Sequence, residues 1–100
     1  MLAHRHAAEI EAIRRDALDA PATTRREERA LVMAGGSPPG WETFLAKVRG
    51  ESYRVTDDDV QRLRRAGFSE DAIFELTVAA AVGVAYERLL TARRALGLDP

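Results

Sequence analysis

The stretch GFSEDAIFELTVAAAVGVAYERL, residues 67–89, contains the clearest helix signals in this chain of 100 residues. Gly67 has the position of a helix stop and Ser69 that of an N-cap, and two acids follow in the next turn. From Ala72 onward the run is apolar on nearly all sides. The pattern predicts a long helix over residues 70–96 whose first half is buried on more than one side.

Three lines of side chains follow this predicted helix at helical spacing. One apolar stripe runs along its whole length and consists of Phe74, Val78, Ala81, Ala85, Leu89, Ala92 and Leu96. A second stripe is confined to the first half and consists of Ile73, Leu76, Ala80 and Val84. The third line is Glu75, Ala79 and Gly83. Because glycine costs about 1 kcal/mol of helix propensity relative to alanine, we expect Gly83 to allow another backbone to approach closely.

The apolar run is too short to predict a membrane span. It covers about 15 residues, whereas a helix needs about 20 to cross a bilayer. Glu75 interrupts the run, and charged residues flank it on both sides. We therefore expect no membrane partner.

The remainder of the chain predicts four shorter helices. The first covers Leu2 to about Leu18, with one stripe formed by Leu2, His6, Ile10, Ile13 and Ala17. Thr24 and Glu27 have the spacing of a capping box that would start the second helix. The third would cover Trp41–Val48 after a Gly/Pro loop, and Thr56 would cap the fourth. The fold class is therefore all-α, with about five helices in a single domain of residues 1–100.

Composition excludes several classes of function. The chain contains no cysteine, so disulfides, thiolate nucleophiles and cysteine metal sites are absent. The formal net charge is -1, which gives no global attraction for nucleic acid or anionic lipid. The N-terminus lacks the apolar core of a signal peptide, so we expect a cytoplasmic location.

Self-association is predicted from the burial of the long helix. Four short helices form too thin a shell to cover its first half completely. A homo-oligomer would supply the missing cover, and the line of Ala79 and Gly83 is one candidate seam between subunits.

The segment from Lys47 to about Leu90 resembles the C-terminal part of small bacterial proteins of the carboxymuconolactone decarboxylase and alkylhydroperoxidase D-like superfamily. The residues that carry the resemblance are Val55-Thr56-Asp57, Asp59-Val60, Leu63, Ala66-Gly67-Phe68-Ser69, Asp71-Ala72-Ile73, Glu75-Leu76-Thr77-Val78-Ala79-Ala80-Ala81 and Gly83. The resemblance implies an alkylhydroperoxidase D-like helical fold that assembles as a trimer or hexamer.

The resemblance does not extend to the chemistry of the peroxidase members. Those proteins use Cys-x-x-Cys followed by His, and this chain has no cysteine, which excludes thiol-dependent peroxidase activity. The resemblance therefore implies an oligomeric binding or accessory protein. The alternative that it leaves open is a cysteine-independent, decarboxylase-like enzyme that acts on a small carboxylate or lactone. We expect no cofactor and no metal.

Three residues are the catalytic candidates for that alternative: Glu75, His6 and Tyr53. Glu75 lies in an apolar helix, where burial would raise the pKa of its carboxyl group and suit it to general acid–base catalysis. The structural alternative is an ion pair with an arginine from another helix or subunit. His6 lies on the apolar stripe of the first helix, where it would either pack or act as a base with Glu75 or Tyr53 as its companion. His4 points to another face, so the two histidines make a poor metal pair.

Three further positions have both a functional and a structural interpretation. Tyr53, Lys47 and Arg88 would either line a pocket for a small anion or extend along the surface. Trp41 would either lie on a mobile lid or anchor its helix to the core. The two helices around Gly67 also have the arrangement of a helix-turn-helix, but acidic residues at the start of the second helix do not suit a DNA reader, so we expect no nucleic-acid partner.

Overall fold

The computed structural model describes the backbone of residues 2–97 and the side chains of residues 8–97. Within these residues there are five α-helices, one short 3-10 helix and no β-strand. The helices are α1 (Leu2–Asp19), α2 (Arg26–Met33), α3 (Glu42–Gly50), α4 (Asp57–Arg65) and α5 (Glu70–Ala95), and the 3-10 helix is Ser52–Arg54. The prediction of an all-α chain with about five helices is confirmed.

The junction between α4 and α5 forms as the local sequence predicts. Thr56 caps α4, because its hydroxyl accepts from the Asp59 N–H at 3.3 Å and the Asp59 carboxylate accepts from the Thr56 N–H at 2.9 Å. Gly67 follows α4 with φ of +104°, a conformation that favours glycine. The Ser69 hydroxyl then accepts from the Ala72 N–H at 3.1 Å and starts α5.

The predicted capping box at the start of α2 is wrong. The N-cap is Arg25, one residue later than predicted, and its N–H donates to Glu28 rather than to Glu27. Thr24 is turned away from α2 because its N–H and hydroxyl both donate to the side chain of Glu75 on α5. A contact between distant segments has replaced a local cap.

The core lies between the first half of α5 and helices α2, α3 and α4. Its buried members are Val32, Trp41, Phe44, Leu45, Leu63, Ile73, Leu76, Ala79 and Ala80. Trp41 is fully buried, with its ring edge-on to Phe44 and Phe68 at centroid distances of 5.8 and 5.0 Å. Of the two interpretations of Trp41, the anchor is confirmed and the mobile lid is wrong.

α5 buries one face and leaves the opposite face open. The buried residues are Ile73, Leu76, Ala79, Ala80 and Gly83. The stripe that runs the whole length of the helix lies on the opposite face. Phe74 is 69% and Leu96 72% exposed, its alanines are exposed, and Val78 and Leu89 are half-buried. Within one chain the second stripe faces the core, and the predicted cover of the long stripe by another subunit stays a prediction. No helix of residues 2–97 is long and apolar enough to cross a membrane.

Gly83 allows the close approach between α2 and α5. A Cβ at this position would lie 2.2 Å from the carbonyl oxygen of Met33, well inside van der Waals contact. The expected role of Gly83 in close packing is confirmed, but its partner is α2 of the same chain. The line of Ala79 and Gly83 is buried inside the subunit, so its predicted use as a seam between subunits is wrong.

α1 packs along α5 and is held there by polar contacts. The Tyr86 hydroxyl donates to the Glu11 carboxylate at 2.6 Å, and the Arg14 guanidinium lies 5.0 Å from the centre of the Tyr86 ring. The predicted stripe of α1 is only partly covered, because Ile13 is 56% exposed while Ile10 and Ala17 are half-buried.

The Gly83 contact gives a direct prediction for stability. Gly83→Ala is expected to lower the free energy of unfolding by about 1–3 kcal/mol, because the new methyl group meets backbone that cannot move aside cheaply. The matched control is Gly50→Ala in α3, where no atom lies within 4 Å of the added Cβ and stability should change by less than about 1 kcal/mol. Urea unfolding followed by circular dichroism measures both. Equal stability of the two variants would contradict the close-packing role.

Candidate functional site

The Glu75 carboxylate accepts hydrogen bonds from two consecutive threonines in the linker between α1 and α2. The Thr23 N–H donates to Oε2 at 2.9 Å, and the Thr24 N–H donates to Oε1 at 2.8 Å. The Thr24 hydroxyl donates to Oε1 at 2.7 Å, and the Thr23 hydroxyl lies 3.1 Å from both carboxylate oxygens. These hydrogen bonds join Glu75 to two residues that lie 51 and 52 positions earlier in the sequence.

These contacts determine the charge state of Glu75. Burial by itself raises the pKa of the carboxyl group, but the backbone N–H groups of Thr23 and Thr24, together with their hydroxyls, outweigh it and lower the pKa from 4.5 to about 2. The predicted raised pKa is therefore wrong. A carboxylate that is ionised throughout the neutral range is a poor proton donor and a weak base there.

Arg29 extends the contact into a network that the sequence did not indicate. Its side chain is buried, and its Nε donates to the carbonyl of Leu18 at 3.2 Å. Its Nη1 donates to the carbonyl and, at 3.2 Å, to the hydroxyl of Thr24. Arg29 therefore fixes the end of α1 and orients Thr24 toward Glu75. The sequence did contain one signal for such a network, the single acid Glu75 within the apolar run of α5, because a carboxylate there requires a hydrogen-bond or ion-pair partner.

Of the three catalytic candidates, the structure describes the side chains of Glu75 and Tyr53 and does not bring these two together. A cleft of about 130 Å³ lies beside Glu75 and is lined also by Arg29, Phe74 and Val78, but Tyr53 is not among its walls. Tyr53 lies on the 3-10 helix and is 85% exposed. The side chain of His6 lies outside the described residues, so its role stays a prediction, as does the catalytic use of Glu75 and Tyr53.

Lys47 takes part in a structural ion pair. Its Nζ lies 2.9 Å from both carboxylate oxygens of Asp59, which is buried. The pKa of Asp59 is lowered to about 2, first by the backbone N–H of Thr56 and then by Lys47. The pair joins α3 to the start of α4, so the ammonium group is engaged within the chain.

Arg88 lies in a different environment, in a cleft of about 220 Å³ between the end of α3 and α5. Arg49 and Ser52 line the same cleft. The Arg49 guanidinium donates to the carbonyl oxygens of Val32, at 2.9 Å, and of Gly36. Those neutral acceptors hold the side chain in place.

No group of three or more His, Asp or Glu side chains that could hold a metal ion occurs among the side chains of residues 8–97. The three acids at the start of α4 have different surroundings. Asp59 contacts Lys47 and Thr56, while Asp57 and Asp58 are exposed. The negative charges of these acids lie in the first turn, where they interact favourably with the positive end of the helix dipole.

The Glu75 contact predicts a pH-dependent contribution to stability. Because the folded pKa is below the unfolded value of 4.5, the contribution is complete above pH 4.5 and is lost as pH falls toward 2. Glu75→Gln should lower the free energy of unfolding at pH 7 by about 1–3 kcal/mol, and its difference from the unmodified chain should shrink over that pH range. Thermal unfolding between acid and neutral pH measures the difference. Glu87→Gln, an exposed position on the same helix, is the control; a pH-independent difference would contradict the assignment.

Comparison of the chain with protein-family models, with curated proteins and with solved structures finds no significant match in any of the three. The similarity of the segment from Lys47 to Leu90 to the carboxymuconolactone decarboxylase and alkylhydroperoxidase D-like superfamily therefore stays a prediction from the sequence. Function must be inferred from the fold and from the geometry of its side chains.

Proposed function

We propose that this chain is an oligomeric binding protein without thiol chemistry, and that it self-associates through the outer stripe of α5. The outer stripe is defined as Phe74, Val78, Ala81, Ala85, Leu89, Ala92 and Leu96. The observation that carries the proposal is the exposure of this apolar stripe on the side of α5 opposite the core, with Phe74 69% and Leu96 72% exposed.

The spacing of the outer stripe suits a second copy of the same chain. Successive members are separated by 4, 3, 4, 4, 3 and 4 positions, a pattern that is symmetric about Ala85. A second α5 placed antiparallel across Ala85 therefore sets Phe74 opposite Leu96, and every other member opposite a member of the stripe. The central alanines permit close approach of the two helices, and the antiparallel arrangement is favourable for their dipoles.

The extended shape of the chain agrees with burial of more apolar surface by a second copy. Its radius of gyration is 14.9 Å, above the value of about 13 Å typical of a compact domain of this length. The buried residues of α5 end at Gly83, so the second half of the helix has α1 but no core beside it. A second copy would bury apolar surface that the single chain leaves in water.

A two-fold contact also distinguishes between the two assemblies that the family resemblance implies. A hexamer built from three pairs contains two-fold axes, whereas a cyclic trimer contains none. The proposed contact therefore favours the hexamer, or a simple dimer. It gives no support to the decarboxylase-like alternative, because Glu75 is engaged by Thr23 and Thr24.

Self-association through the outer stripe is tested by Phe74→Asp. A charge at the end of each stripe should weaken the association at least about 100-fold, since it removes a large apolar contact and buries a carboxylate. Tyr53→Asp is the matched control, because Tyr53 is an exposed aromatic outside the stripe. Sedimentation velocity over a range of concentrations measures both variants.

Two outcomes would count against the proposal. One is an unmodified chain that sediments as a monomer at concentrations well above micromolar. The other is equal weakening of the assembly by Phe74→Asp and Tyr53→Asp, which would place the contact outside the stripe. Circular dichroism of both variants keeps loss of association distinct from loss of folding.

A further inference from the structure

The cleft between α3 and α5 contains positive charge and no compensating acid. Its lining includes Arg49 and Arg88 and no Asp or Glu residue. Neither arginine forms an ion pair with a carboxylate of the described residues. The cleft therefore attracts anions locally.

The two arginines differ in how firmly they are held. Arg49 is fixed by its donations to the carbonyl oxygens of Val32 and Gly36 and, at 3.4 Å, to the Ser37 hydroxyl. Arg88 is exposed on α5 and takes part in no ion pair of the described chain. Arg49 is thus held in place by the chain, and Arg88 is available to close on a ligand.

The remaining walls are apolar. Val48, Ala81, Val84 and Ala85 line the cleft beside the arginines, and Ser52 contributes a hydroxyl group. The volume of about 220 Å³ is below the roughly 300–1,000 Å³ of pockets that hold drug-sized ligands. A ligand that suits these walls is small, with one anionic end and one apolar end.

We propose that this cleft is a binding site for a small monocarboxylate whose carboxylate contacts Arg49 and Arg88 and whose apolar part lies on Ala81, Val84 and Ala85. A carboxylate matches the planar guanidinium groups, and the apolar floor selects against a fully polar anion such as phosphate. The inference names a ligand class for the proposed binding function and rests on that function. It requires no covalent step.

The site borders the outer stripe of α5, because Ala81 and Ala85 belong to both. A second copy placed close across Ala85 would compete with a ligand for these two alanines. Self-association and ligand binding are nevertheless measured separately, by sedimentation and by calorimetry. Failure of one is therefore distinguishable from failure of the other.

The experiment titrates the intact chain with benzoate, which has a carboxylate and an apolar ring, and follows binding by calorimetry and by amide NMR shifts. Neutral benzamide and inorganic phosphate are the comparison probes. Arg88→Gln should weaken benzoate binding by about 10-fold to 100-fold, the range for loss of a charge-assisted contact. Arg65→Gln on α4, an exposed arginine outside the cleft, should leave binding unchanged.

The expected result is benzoate binding with amide shifts around Ser52 and Ala85 and with loss of affinity only in Arg88→Gln. No benzoate binding at millimolar concentration would overturn the proposal. So would equal affinity for benzamide, which would remove the role of charge, or phosphate binding in place of benzoate. Unchanged affinity in Arg88→Gln would equally overturn it, since that exposed substitution is not expected to disturb the fold.

Discussion

The approach of α2 to α5 at Gly83 is the constraint on which the rest of the structure depends. Because Gly83 has no side chain, the Met33 carbonyl oxygen can lie only 2.2 Å from the point that a Cβ atom would occupy. The start of α2 is fixed to the same helix by the contact of Thr24 with Glu75. Eight positions of α5 separate the two contacts, about 12 Å, which matches the length of α2. α2 therefore runs beside α5 in the same direction and carries Val32 into the core.

Two buried or half-buried carboxylates hold this arrangement as ionised acceptors. Glu75 joins the linker before α2 to α5, and Asp59 joins α3 to α4 through Lys47 and Thr56. Both have pKa values near 2, since several N–H and hydroxyl donors converge on each. Charge placed in this way joins segments of the chain and does not supply proton transfer near neutral pH.

α5 divides its two faces between stability and interaction. The inner face, with Ile73, Leu76 and Gly83, is committed to the core. The outer stripe and the cleft beside it share Ala81 and Ala85, whose small side chains leave room for a second helix or for a ligand. Both proposals thus depend on one physical property, the absence of bulk at the middle of the outer stripe.

The sequence by itself determined the number of helices, the caps at Thr56 and Ser69 and the turn at Gly67, because these depend on neighbours within a few positions. It did not determine the role of Thr24, because Glu75, whose carboxylate accepts from Thr24, lies 51 positions away in the sequence. Periodicity identified the stripes of α5 but not which of them faces inward. Only the tertiary structure decided that, because the close approach at Gly83 draws α2 to the face of Ala79 and Leu76 and leaves Phe74 outside.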